Sequence, residues 1–292
     1  MKPLRHAFHP SKRFGQHFLC SQEVLDRIAE AAQVCEKDGV LEIGAGLGDL
    51  TIRLAAKAGE VLALEVDRRL HQILIQRFHE ASNTRIIQED ALRFPLPEGL
   101  MELPRPRKVV GNLPYNVGTR ILLRFARFPS EIDLMAFMFQ KEVAQRITAP
   151  VGSKAYGSLS VLLALQWDSK MVFKVAPGAF RPSPKVESAV VVLTPLGRHR
   201  ADVGDQALFE RLVRMAFAQR RKTLLNALES GLGWDKKQVK KLLDSSDIEP
   251  RRRAETLSLE EFAHLSRKAA NLIAKEPEKN LGLDGQKANT QC

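Results

Sequence analysis

Between Val40 and Leu193, short apolar runs alternate with amphipathic stretches, and this alternation limits the possible folds more than any single motif does. The runs are Val40-Leu41-Glu42-Ile43, Val61-Leu62-Ala63-Leu64, Arg85-Ile86-Ile87, Lys108-Val109-Val110 and Leu134-Met135-Ala136-Phe137-Met138-Phe139. Between them, Leu50 to Lys57 and Arg69 to Phe78 carry helical spacing. Strand and helix in turn predict an α/β fold, a parallel sheet covered on both faces, with Met135, Phe137 and Phe139 in its core. A late pair, Met171 to Val175 and Ser188 to Leu193, reads as a hairpin closing the sheet. Past Pro195 the strand signal stops, and Asp205 to Lys275 reads as short helices. The expected organisation is a first domain over residues 1–197, a small all-α domain over 198–275 and a disordered polar tail over 276–292.

In such a sheet, ligands bind beyond the carboxyl ends of the strands, where the strand order reverses. The first strand runs into Glu42-Ile43-Gly44-Ala45-Gly46-Leu47-Gly48. Glycines there allow a tight turn and bring a ligand close to the backbone at the start of a helix. The spacing is GxGxG rather than the GxGxxG of dinucleotide folds, and an acid precedes it. Glu42 suits a ligand carrying an ammonium group better than a pyrophosphate. Glu65 ends the second strand, where doubly wound folds set a carboxylate against ribose hydroxyls. Asp90, after the third, is able to accept a hydrogen bond from an adenine amino group. Each acid alone could be a solvated strand end. Arriving at successive strand ends, they describe a pocket for S-adenosylmethionine.

Gly111-Asn112-Leu113-Pro114-Tyr115-Asn116 follows the fourth strand. Taken alone, Asn and Pro there mark an ordinary turn. Beside a methyl donor they fit an amino-nitrogen methyl-transfer site. Adenine's exocyclic nitrogen is a poor nucleophile because its lone pair is delocalised into the ring. The Asn112 amide oxygen and the Leu113 carbonyl, held by Pro114, would both accept hydrogen bonds from that amino group and align it for in-line attack. Tyr115 would stack on a base drawn out of its RNA stack. The attacked nitrogen becomes acidic only after methylation, so no strong general base is required.

The formal net charge of +11 favours a polyanionic partner, with nucleic acid ahead of the alternative that excess lysine serves solubility. No apolar run approaches membrane-spanning length, and Met1 to Arg13 lacks the apolar stretch of a secretory signal. Cys20, Cys35 and Cys292 have neither metal-ligand spacing nor an even framework of bridges. A cytoplasmic, reduced protein with no metal and no membrane partner is expected, with Cys20 and Cys35 as packing residues and His71 and His79 on helix surfaces.

Several motifs in one order resemble the ribosomal RNA adenine dimethyltransferase family, within it the bacterial branch that dimethylates two adjacent adenosines near the 3′ end of 16S ribosomal RNA. They are KRFGQHFL at Lys12 to Leu19, the EIGAGLG loop, Glu65, Asp90, GNLPYN, FRPSPKVESAVV at Phe180 to Val191 and AFAQRRKTLLNAL at Ala216 to Leu228. The likeness extends from Lys12 to about Leu265. It implies a Rossmann-like S-adenosylmethionine-dependent methyltransferase sheet with a small helical domain that docks on the ribosome. It also implies a monomeric enzyme whose partner is 16S ribosomal RNA in the small subunit or its precursor. Carried over by motif, the cofactor contacts fall on His17, Leu19, Gly44, Glu65, Asp90 and Asn112. Many members have asparagine where this chain has His17, and either side chain could hydrogen-bond near the methionine end of the donor. The catalytic set falls on Asn112, Leu113, Pro114 and Tyr115, with Phe180 closing over the target base opposite Tyr115.

On the small domain, Arg220-Arg221-Lys222 would meet phosphates and fix register rather than sequence. The same run could instead pack its aliphatic stems structurally. Arg251-Arg252-Arg253 is as well explained by a solvated face as by RNA contact. Three other readings share the site chemistry or the fold. A large-subunit enzyme conferring antibiotic resistance more typically has isoleucine where this chain has Leu113. A DNA adenine methyltransferase would carry a target-recognition domain. A non-catalytic assembly or transcription factor would use the fold as a binding module.

Overall fold

The computed structural model describes residues 17–275. They form two compact units. One comprises the described residues up to Thr148 together with Trp167–Gly197, the other Ala149–Gln166 together with the described residues from Arg198 onward.

The first unit begins with β1 (Phe18–Leu19) and α1 (Gln22–Ala31), the helix capped by the Ser21 hydroxyl accepting from the Val24 amide. Four strand–helix pairs follow: β2 (Gly39–Ile43) with α2 (Asp49–Ala55), β3 (Glu60–Leu64) with α3 (Arg68–Arg77), β4 (Thr84–Ile87) with α4 (Glu98–Met101), and β5 (Arg107–Asn112) with α5 (Gly118–Phe125). β6 (Leu134–Gln140) runs directly into α6 (Lys141–Ile147). After α7 (Ser158–Ala164), which lies in the second unit, the chain returns through β7 (Trp167–Val175), β8 (Phe180–Arg181) and β9 (Ser188–Pro195).

Seven strands form one sheet in the order β4-β3-β2-β5-β6-β9-β7. The five from β4 to β6 are parallel, and β9 runs antiparallel to both β6 and β7. This is the expected sheet with the expected closing pair. β2 and most of β5 and β6 are buried without alternation, as strands covered on both faces must be, and Met135, Phe137 and Phe139 lie in the core. The strand order reverses between β2 and β5, which opens a cleft beyond their carboxyl ends. Gly111 permits that pairing, because a Cβ there would sit 2.6 Å from the Ile43 carbonyl oxygen. A separate two-stranded ladder joins β1 to β8, pairing Phe18 with Arg181 and Leu19 with Phe180.

The second unit packs α7 with α8 (Gln206–Ala218), α9 (Leu224–Leu232), α10 (Lys236–Ser245) and α11 (Leu259–Lys275). Asp205 caps α8, and Asp235 with Gln238 forms a capping box on α10. Phe209, Leu228, Leu243 and Phe262 centre its core. Residues 149–166, which the sequence reading runs on from the first domain, group with these helices. Tyr156, Val161 and Leu165 are buried among them, and the Tyr156 hydroxyl donates to the Leu257 carbonyl at 3.0 Å. Cys35 is exposed rather than packed. Among the described residues no helix is long and apolar enough to cross a membrane. The expected tail, 276–292, lies outside the described residues.

Candidate active site

A cavity of ≈ 230 Å³ opens at the reversal point, against the carboxyl ends of β2, β3 and β5. It is lined by His17, Leu19, Gly44, Glu65, Asp90, Asn112, Leu113, Pro114 and Tyr115, so every sequence-predicted residue of the first unit except Phe180 meets there. The glycine loop forms one wall. Gly44, Gly46 and Gly48 all have positive φ, between +61° and +84°, a conformation that other residues rarely adopt, and Gly48 then serves as the N-cap of α2.

Glu65 ties this loop to the end of β3. Its carboxylate accepts from the Gly46 amide at 2.8 Å and from the Asp67 amide at 2.9 Å. Burial raises its pKa, and the two amide bonds work against that rise. Asp90 is oriented by the Leu92 amide, which donates to its Oδ1 at 2.9 Å. Glu42, near the end of β2, is fully buried, and its Oε2 has no hydrogen-bond partner among the described residues. Burial pushes its pKa up to about 8; the Thr51 hydroxyl lowers it somewhat without completing a well-formed hydrogen bond, and Glu65 and Asp49 raise it further. Leu47, Leu70 and Leu92 give the cavity apolar walls. Carboxylates beside apolar walls and a glycine turn fit a nucleoside ligand that carries hydroxyls and positive charge.

Asn112 is the last residue of β5, half-buried, and its Nδ2 donates to the His17 carbonyl at 3.3 Å. That bond uses the donor end of the amide and leaves Oδ1 available as an acceptor. The Pro114 carbonyl accepts from the Gly118 and Val117 amides at 2.8 and 3.2 Å, which turns the chain into α5 and leaves the preceding carbonyl, Leu113, outside this turn's bonding. The Tyr115 hydroxyl and the buried Ser188 hydroxyl are 2.7 Å apart, and burial raises the pKa of the phenol while this bond lowers it. The His17 ring stacks on Tyr115 with centroids 5.6 Å apart, and its Nδ1 bonds to the Pro182 carbonyl at 2.8 Å. Sequence reasoning gave His17 a donor contact; its stacking on Tyr115 has no sequence signal.

Phe180 stands apart. Its ring is fully buried in the core with Leu19 and Val190, where it anchors the β1–β8 ladder, and it does not line the cavity. In this arrangement it presents no face to a base. The basic run of the second unit also divides. Arg220, Arg221 and Lys222 are all exposed, and of the three the Arg220 guanidinium also donates to the carbonyls of Lys154 and Tyr156 at 2.8 and 3.0 Å. Arg252 pairs with Glu261, leaving Arg251 and Arg253 exposed on either side of it.

Residues 7–268 match the family model described as ribosomal RNA adenine dimethylase. The chain is 42% identical to "Ribosomal RNA small subunit methyltransferase A" of Clostridium botulinum, over 90% of this chain and 94% of that protein. It is 43% identical to the protein of the same description from Geobacter metallireducens, over 88% and 94%. Among solved structures, a dimethyladenosine transferase from Plasmodium falciparum superposes with a TM-score of 0.73 at 25% identity, covering 90% of this chain and 98% of the other.

Proposed function

The chain belongs to the ribosomal RNA adenine dimethylase family. From that premise we propose that it dimethylates the exocyclic amino groups of two adjacent adenosines in a 3′-terminal hairpin of 16S ribosomal RNA, in the small ribosomal subunit or its precursor, with S-adenosylmethionine as donor. When bound, the donor supplies an electrophilic methyl group. The residues that would hold it are His17, Leu19, Gly44, Glu65, Asp90 and Asn112, which line one cavity at the switch point of the sheet. Glu65 would accept from ribose hydroxyls, and Asp90 from the adenine amino group through the oxygen that Leu92 leaves free.

The observation that carries the reading is the oriented amide of Asn112 at the rim of this acid-lined cavity. Its Oδ1 and the Leu113 carbonyl would accept the two amino hydrogens of the target adenosine. Both acceptors concentrate electron density on nitrogen and favour the tetrahedral geometry of attack. Tyr115, held by Ser188, would give the extruded base a stacking face. Phe180 would act at one remove, by fixing the β1–β8 ladder that carries the His17 carbonyl to Asn112.

We assign residues 1–197 to donor binding and catalysis and the helices of 198–275 to docking on ribosomal RNA, with 149–166 joining the helical unit. Arg221 and Lys222 are the pair suited to phosphates, whereas the guanidinium of Arg220, though also exposed, already bonds within its own unit. A cytoplasmic monomer is the proposed working form. Relatives described as small-subunit enzymes at 42% and 43% identity favour the small subunit over the large one as substrate. The test is transfer of labelled methyl groups to unmethylated small subunits, with mapping of the modified bases. Label on two adjacent adenosines near the 3′ end of 16S ribosomal RNA is expected; label on large subunits alone, or none, would contradict the proposal.

A further inference from the structure

Four carboxylates line the cavity, those of Glu42, Asp49, Glu65 and Asp90, and no lysine or arginine among the described residues does. Three of the four have partners. Glu65 accepts two backbone amides, Asp90 accepts one, and Asp49 pairs with Arg77 at 3.1 Å. Glu42 differs: it is the most buried of them and one oxygen has no partner among the described residues.

Among the described residues no lysine or arginine faces Glu42, and of its neighbours only the Thr51 hydroxyl favours the charged form. Its ladder neighbours are Ala63 on β3 and Val110 on β5. α2 turns Thr51 and Asp49 toward it, and the end of β3 brings Glu65. Lys108, on the adjacent strand β5, is committed to Asp38 at 2.6 Å. From the other sides of the cavity come Asp90 and His17. A buried carboxyl facing other acids keeps its proton until a cation arrives.

Resting on the donor reading above, we propose that Glu42 is the counter-charge for the ligand's ammonium group, neutral in the ligand-free protein and ionised when that ammonium enters. The O–H bond of the Glu42 carboxyl breaks, its proton goes to solvent, and the resulting carboxylate faces the ligand's –NH₃⁺. The raised pKa of Glu42, about 8, agrees with this. Ligand binding is then linked to proton release, and affinity for an amine-bearing ligand rises with pH until Glu42 is ionised in the free protein as well.

The experiment is calorimetry of the full chain at pH 7, in buffers of different ionisation enthalpy. The probes are S-adenosylhomocysteine, which has the amine but no sulfonium, and 5′-methylthioadenosine, which has neither. The first is expected to release about one proton and the second none. Affinity for S-adenosylhomocysteine should tighten about tenfold from pH 6 to pH 7 and level off above pH 8. Glu42→Gln, isosteric with the neutral acid, should abolish the proton release and flatten the profile. Binding of S-adenosylhomocysteine with no proton release and no pH dependence would overturn the assignment, as would equal release with 5′-methylthioadenosine. Absence of binding by S-adenosylhomocysteine and S-adenosylmethionine alike would instead overturn the donor reading itself.

Discussion

The two units carry their charge in opposite ways. In the first, acids sit at or just beyond the ends of sheet strands, where amides such as those of Gly46, Asp67 and Leu92 fix the carboxylates. In the second, basic residues lie on helix surfaces and turns, and three neighbours in sequence do different things. All three are exposed, but Arg220 bonds two carbonyls of its own unit. A ladder transmits sequence order directly into spatial order, whereas a surface run assigns each long side chain separately. Chemistry that needs a reacting atom held to within a fraction of an ångström belongs on the first kind of scaffold. Contact with a phosphate backbone tolerates the second.

That contrast is sharpest in the response to pH. The Glu42 carboxyl is neutral in the folded protein up to about pH 8, while in the unfolded chain it ionises near its ordinary value of 4.5. The stability it contributes is fully present below about 4.5 and is lost as pH rises toward 8. Glu42→Gln should therefore match the parent near pH 4.5 and exceed it above pH 8, by on the order of 4 kcal/mol. Denaturant midpoints at the two pH values measure this; a difference that stays constant with pH would mean that burial does not hold the acid neutral. A smaller effect is expected at Glu65. Glu65→Ala should weaken donor binding by about 1–3 kcal/mol, the usual cost of unpairing such polar groups, with subunit affinity almost unchanged. Unaltered binding by calorimetry would remove Glu65 from the site. Smallest of all, Arg220→Met should lower thermal stability by about 1 kcal/mol without changing the salt dependence of subunit binding. A flattened salt slope in that variant would return Arg220 to the RNA-contacting set.

The same contrast explains what was legible in the sequence. β2, β5 and β6 are buried on both faces, so their apolar runs stand out, and the runs of β3 and β4 locate Glu65 and Asp90 beyond their ends. The β1–β8 ladder spans only two residues on each side, too few for any periodicity, so nothing in the sequence marks the Phe180 ring as buried. Residues 149–166 lie between two strands of the first unit, and only the burial of Tyr156, Val161 and Leu165 among helices far along the chain assigns them to the second unit. The partners of Arg220 lie 66 and 64 positions away, beyond the reach of local pattern. Glu42 was visible as an acid before the glycine loop; its missing partner was not, because that depends on what the neighbouring elements bring.

Labour is divided between chemistry at the strand ends and docking on the helices, and single-turnover methylation of small subunits, measured beside subunit affinity, is the test of that division. Asn112→Ala should lower the single-turnover rate by roughly 10²–10³-fold, the scale of losing one preorganised hydrogen-bonding group, and leave subunit affinity unchanged. Replacing Arg221 and Lys222 together with alanine should do the reverse: weaken affinity, lower the salt slope by about 1–2, and preserve the rate at saturating subunit. Near-parental turnover in Asn112→Ala, or a charge-neutralised pair that binds subunits with unchanged affinity and salt slope, would contradict it.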